Sequence, residues 1–293
     1  MINKGICDEL AIIDINENKA LGEAIDLSHG IPFAPVNISV YKGSYRDCSD
    51  ARMVVISAGV SQKPGENRIS LLARNSEVMR SVVTEVMKNG FDGIFLVATN
   101  PVDLMTLVTA CKSNLPPSRI IGTGTVLDSA RLRFSIGQRL GIDPHNVHAY
   151  VLGEHGDSEF VPWSQATIGT KSITSYIKES GRNISTDMLA ELEDEVKNSA
   201  YKIIEAKGLT CYGIGMAMSR ITQAILSDEN SLLTVSAPAW GEYGISNVWI
   251  GLPCIVGQGG IREVIELNLA DHEIKKLRDS AALIKGLADQ IKC

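Results

Sequence analysis

The sequence predicts an α/β fold: a doubly wound parallel sheet over residues 1–122, followed by an α+β domain over residues 123–293. Three observations predict it. Short apolar runs alternate with helix-patterned segments through the first 122 residues. The run 53–58 is apolar with almost no polar alternation, the pattern of a strand buried on both faces of a parallel sheet. Near residue 123 the texture changes: helices lengthen, and strands become rich in Thr, Ser and Trp with polar turns between them.

Each element has its own signal. Residues 10–14 read as a first strand ending at Asp14, and 16–29 as a helix. A second strand is expected at 36–40 and the third at 53–58. The polar loop 59–67 contains Lys63-Pro64-Gly65, the chemistry of a tight turn. Residues 69–89 form a long amphipathic pattern, 93–98 a fourth strand, and 101–111 a helix opening with Pro101, a good first-turn residue. A short fifth strand covers 119–122. In the second domain an apolar, strand-like run at 147–152 leads into a turn, and the last helix is expected over 271–293. Functional residues in a doubly wound sheet lie just past the carboxyl ends of its strands. Asp14, Gly59 and Asn100 occupy such positions.

The bulk numbers bound the function. A chain of 293 residues suits two domains. Hydrophobic content of 44% and charged content of 21% describe an ordinary globular protein. A net charge of −6 excludes a general nucleic-acid or membrane-surface binder, while leaving room for a local basic pocket. The six cysteines, at 7, 48, 111, 211, 254 and 293, form no C-x-x-C pair, and their scatter suggests reduced, mostly buried thiols. No apolar run reaches the roughly 18 residues that a membrane span requires. The N-terminus lacks the pattern of a signal peptide. A cytoplasmic enzyme or binding protein is expected.

The chemistry centres on residues 151–158, Val-Leu-Gly-Glu-His-Gly-Asp-Ser. Glycines on both sides of Glu154-His155 allow a sharp turn and a close-lying ligand. A histidine presented there exchanges a proton near neutral pH, although a surface histidine in a glycine-rich loop is the blander alternative. Asp128 and Arg131 are three apart and share a helical face, as a surface salt bridge would also require. Arg68 follows the Pro-Gly loop and could be solvated. Asn100 could cap the helix after it. Asp14 lies where a dinucleotide-binding unit places the acid for a ribose hydroxyl, or it caps the following helix. The companion G-x-G-x-x-G turn belongs about twenty residues earlier, and only 13 residues precede Asp14. Neither Gly213-Ile-Gly215 nor Gly122-Thr-Gly124 completes such a motif elsewhere. His145 and His148 are also three apart, but no Cys or acidic set completes a ligand group, so no metal is expected. There is no H-E-x-x-H and no G-x-S-x-G.

In combination and in order, GEHGD at 153–157, ATNPVD at 98–103, LDSARLRF at 127–134 and QKPGENR at 62–68 resemble the L-lactate dehydrogenases of the bacterial, sugar-phosphate-regulated type. The resemblance runs from Ile2 onward. It implies a Rossmann-type domain with NAD as cofactor, and reversible interconversion of (S)-lactate and pyruvate, the last step of fermentative glycolysis. His155 matches the proton donor and acceptor, and Asp128 the carboxylate that orients it. Arg131 matches the grip on the substrate carboxylate. Arg68, on a mobile loop, matches the group that polarises the carbonyl. Gln62, Asn100 and Thr210 match further substrate positions, while Asp14, Lys19, Tyr45, Gly59, Ala98 and Asn100 match cofactor contacts. Arg133 and His148 match an allosteric site for fructose 1,6-bisphosphate at a subunit interface, which implies a homotetramer. A malate dehydrogenase, or a catalytically impaired relative, is the alternative.

One departure stands out. The family's first strand, its glycine turn and most of its first helix have no counterpart here. That strand lies mid-sheet, so two unpaired inner edges are expected around its place, with an attendant aggregation hazard. The pyrophosphate-binding turn would go with it, so weak NAD binding and reduced stability are expected.

Overall fold

The computed structural model describes residues 1–60, 68–180 and 187–291. Strands β1 (Glu9–Ile12) and β2 (Ser39–Lys42) pair in parallel, and helix α1 (Glu17–His29) lies over them. β2 begins three residues later than its apolar run suggests, where β1 supplies the ladder partners. Strands β3 (Met53–Ile56), β4 (Ile94–Val97) and β5 (Ile120–Gly122) form a second parallel set. Helices α2 (Arg68–Lys88) and α3 (Val102–Ser113) pack on one another beside it. All four β4 residues are buried, as its apolar run requires.

Helix α4 (Val126–Leu140) follows, and then a small antiparallel sheet of β6 (Val147–His148), β7 (Thr167–Ile168) and β8 (Lys171–Ser172). Helices α5 (Ile173–Glu179), α6 (Asp187–Lys207) and α7 (Tyr212–Leu226) precede a meander of β9 (Ser231–Trp240), β10 (Ser246–Gly257) and β11 (Gly260–Val264). Helix α8 (Asp271–Ala288) ends five residues short of the expected span. β9 pairs antiparallel with β5, so the large sheet runs β11-β10-β9-β5-β4-β3 across the boundary expected at residue 122. Its core reaches from Met79 and Val83 on α2 to Leu277 and Ile284 on α8. A second core joins α4 and α6 through Leu132, Ile136 and Leu192.

The strands of the first domain fall into two sheets. Among the described residues, β1 pairs only with β2, β3 pairs only with β4, and no ladder joins β1 to β3. Ala20, Ala24 and Ile38 are buried within the β1–α1–β2 layer but belong to neither core.

Two expectations are corrected. The run 147–152 is a strand only at Val147–His148. Beyond it the Val151 N–H donates to Ser129 Oγ at 2.9 Å and the Val151 carbonyl accepts from Thr125 Oγ1, so side chains of α4 and its cap replace the ladder. The second concerns the thiols: Cys7, Cys48, Cys211 and Cys254 are free, but Cys111, exposed on α3, is disulfide-bonded. Scattered spacing does not reveal pairing, which depends on how the chain folds back. Among the described residues, no helix is long and apolar enough to cross a membrane.

Candidate active site

Helix α4 starts the site. Asp128 lies in its first turn, buried, and Arg131 lies one turn on. Their spacing brings Arg131 Nη1 to 2.7 Å from Asp128 Oδ1. Side-chain exposures of 15% and 2% make this an interior pair, not the surface bridge that the spacing alone allows. The other Asp128 oxygen, Oδ2, is 2.6 Å from His155 Nδ1. His155 arrives on a turn that depends on glycine. Gly153 has φ +97°, and its backbone pairs with Gly251 of β10 in both directions. The histidine side chain remains 25% exposed, so the ring is held at one edge and open at the other.

The charges reinforce one another. Burial disfavours the charged imidazolium, but the Asp128 carboxylate and its hydrogen bond outweigh that, and the His155 pKa rises to about 9. Burial likewise opposes the Asp128 anion, yet His155 and Arg131 hold its pKa below the ordinary carboxylate value. At neutral pH the couple is an imidazolium bonded to a carboxylate: a proton donor with a fixed direction.

Sequence reasoning missed two acids here. Asp103, in the first turn of α3, accepts the His155 backbone N–H at 2.9 Å and the Ser236 hydroxyl at 2.6 Å. It ties α3, the histidine turn and β9 together. Burial pushes its pKa up to about 6, with both hydrogen bonds working the other way. Glu159 is also buried, and its carboxyl gathers with Asp128 and the His155 ring within 4.8 Å. Both residues lie beside quoted motifs, Asp103 as the last letter of ATNPVD and Glu159 two places after GEHGD. Position in or next to a motif was the only signal.

The carboxyl ends of β3 and β4 meet close by. Asn75 of α2, buried, receives the Val60 N–H at 2.8 Å and donates to the Asn100 carbonyl at 2.9 Å. A Cβ on Gly59 would lie 2.8 Å from Thr99 Cγ2, so only glycine allows this approach. The Ala98 N–H donates to the Ile56 carbonyl. Asn100 does not cap α3: the N-cap is Pro101, reached through a cis peptide bond. Asp14 does not cap α1 either. Asn16 does, while Asp14 accepts the Asn16 N–H at 2.9 Å and sits 3.6 Å from Lys19 Nζ. Tyr45 is half-buried against the large core. Thr210 is half-buried between α6 and α7. Arg133 donates from Nε to the Pro144 carbonyl at 3.2 Å, and His148 is exposed on β6. Gln62 lies outside the described residues. Arg68 opens α2.

Comparison with known proteins decides the lineage. Residues 1–122 match the NAD-binding domain of lactate/malate dehydrogenases, and residues 125–293 match the α/β C-terminal domain of the same enzymes. The chain belongs to the lactate/malate dehydrogenase family. Within that family it is 48% identical to L-lactate dehydrogenase 1 of Bacillus cereus over 285 residues, which is 97% of this chain and 90% of that protein. Among solved structures, the ligand-bound minor L-lactate dehydrogenase of Enterococcus mundtii superposes with a TM-score of 0.97 at 46% identity. That match covers 100% of this chain and 93% of the other. A lactate dehydrogenase from a Medee basin deep-sea metagenome gives 0.96 at 47% identity, covering 99% and 92%. The fold is therefore that of the family: a Rossmann-like NAD-binding domain with a parallel sheet, and a C-terminal α/β domain.

Proposed function

We propose that this chain is an oxidoreductase that interconverts (S)-lactate and pyruvate, with NAD as cofactor. The observation that carries the reading is the trio Arg131–Asp128–His155, joined at 2.7 and 2.6 Å through the buried Asp128. Asp128 fixes His155 at Nδ1, so Nε2 is the atom that gives the proton to the carbonyl oxygen of pyruvate and takes it back from lactate. Asp128 also fixes Arg131 at Nη1, which orients a planar fork of donors for the substrate carboxylate. Arg68 polarises the carbonyl as charge develops on its oxygen. Asn100 and Thr210 complete the substrate pocket.

The chain's donors fit a dinucleotide in two places. Asp14, past the end of β1, offers a half-buried carboxylate suited to ribose hydroxyls, with Lys19 beside it. Gly59, Ala98 and Asn100, past the ends of β3 and β4, offer close backbone approach, and Tyr45 is a further proposed contact. When bound, the nicotinamide supplies or accepts the hydride. The four free thiols among the described residues support a cytoplasmic setting; the Cys111 bridge does not.

Gln62 sets the substrate. A neutral amide leaves a second carboxylate unpaired, so oxaloacetate would bury an uncompensated charge. Assayed by nicotinamide absorbance, the chain is expected to favour pyruvate over oxaloacetate in kcat/KM, and Gln62→Arg to shift the preference toward oxaloacetate. A wild-type preference for oxaloacetate would make the protein a malate dehydrogenase.

Regulation is proposed at Arg133 and His148. Two such sets from symmetry-related subunits would face one fructose 1,6-bisphosphate within an otherwise acidic homotetramer, and the ligand would relieve their repulsion. The sugar bisphosphate is expected to lower the apparent KM for pyruvate, and Arg133→Ala with His148→Ala to abolish the effect. A parent protein indifferent to saturating ligand would end this proposal.

A further inference from the structure

We infer that Glu159 is a positioning residue for the acid–base couple, a second carboxyl group that sets how tightly His155 holds its proton. The inference rests on the reading of His155 as the acid–base residue and deepens it. Its basis is geometric. Glu159 is 4% exposed, and its carboxyl lies in a cluster with Asp128 and His155 whose atoms are all within 4.8 Å of one another. The imidazole therefore has two carboxyl groups at close range, of which only Asp128 is hydrogen-bonded to it. Asp128 is already committed to both His155 and Arg131, which marks the trio as an acid–base cluster rather than a cation cage.

The groups facing Glu159 come from three elements. Asp128 and Arg131 face it from α4, Lys197 from α6, and His155 from its own turn. Asp103, on α3, faces His155 from another side. Burial disfavours the Glu159 anion, the Asp128 charge adds to that, and the three cations only partly offset it. Its pKa is pushed up to about 8. Two nearby groups with pKa values of about 8 and about 9 titrate as a pair. At neutral pH Glu159 is a neutral acid, and the cluster of imidazolium, Asp128 anion and Glu159 acid carries no net charge. As pH rises, Glu159 ionises and its charge holds the proton on His155. The imidazolium then survives to higher pH, which prolongs pyruvate reduction and delays lactate oxidation.

The test reads His155 directly and needs no turnover. Protein labelled at its five histidines is titrated by NMR, with the His155 signal identified by its loss in His155→Gln. In the wild type, the His155 signal is expected to show two inflections, its own and a smaller one from Glu159. In Glu159→Gln the smaller inflection disappears and the His155 midpoint falls by about 1 pH unit. Glu159→Asp, which keeps the charge, restores a midpoint near the wild-type value. The alkaline limb of pyruvate kcat/KM is expected to move with the midpoint. A merely structural role would lower rates at every pH and leave the midpoint in place. A single inflection in the wild type overturns the proposal even if no variant folds, and so does an unmoved midpoint in a folded Glu159→Gln protein. A high His155 midpoint without pyruvate turnover would instead refute the substrate assignment and leave this inference standing.

Discussion

Asp128→Asn is expected to lower kcat/KM for pyruvate reduction at pH 7 by about 10³- to 10⁴-fold. Three losses coincide. The asparagine amide no longer specifies which imidazole nitrogen carries the proton, so Nε2 is not reliably the donor. It no longer balances the imidazolium: burial pulls the His155 pKa down, and the opposing Asp128 charge is gone. It also leaves Arg131 without its anion in a largely buried setting. The pH dependence separates these effects. On the proposed role of His155, pyruvate reduction needs its protonated form, so the wild-type rate should hold up to about pH 9 and fall above it. Lactate oxidation needs the neutral ring and should rise over the same range. In Asp128→Asn both limbs move to lower pH. A variant that loses rate while its limbs stay in place would show that Asp128 acts on orientation alone.

Arg131→Gln is expected to lower kcat/KM for pyruvate by about 10²- to 10³-fold, mostly through KM, because a charge-assisted fork to the substrate carboxylate is lost. Asp128 also loses one of the two cations that hold its pKa down, so the couple weakens somewhat. Methyl pyruvate, which carries no carboxylate charge, discriminates between the two contributions. The wild type should strongly prefer pyruvate over the ester, and Arg131→Gln should nearly erase that preference. If the ratio of kcat/KM values is unchanged, Arg131 supports Asp128 and does not hold substrate.

The sequence made the first five strands and their helices legible because each is a local pattern: a buried apolar run, an amphipathic period, a Pro-Gly turn. The Asp128–Arg131 pair was legible for the same reason, since i,i+3 spacing acts within one helix. The motifs placed His155 beside them. What stayed hidden depends on distant contacts. Nothing near Asp103 says that it will receive the amide of residue 155, 52 positions on. Nothing near Glu159 says that its carboxyl will be buried beside Asp128. The run at 147–152 has a strand's composition, but Ser129 and Thr125 satisfy Val151 instead. The joining of β9 to β5 across the expected domain boundary is likewise a tertiary fact, which composition cannot convey.

That β1–β2 and β3–β4 belong to separate sheets bears on how the molecule comes apart. In a continuous sheet, ladders couple every strand to its neighbours, and a domain unfolds as one unit. Among the described residues the β1–α1–β2 layer has its own small set of buried side chains and no strand pairing to the rest, so its opening is expected to be a separate and less costly event. The layer carries Asp14 and Lys19, whereas His155, Asp128 and Arg131 belong to the part that stays folded. Mild denaturant is therefore expected to open the part of the cofactor site proposed at Asp14 and Lys19 while the His155–Asp128 pair remains assembled. Bound dinucleotide, by touching both parts, would join two cooperative units into one.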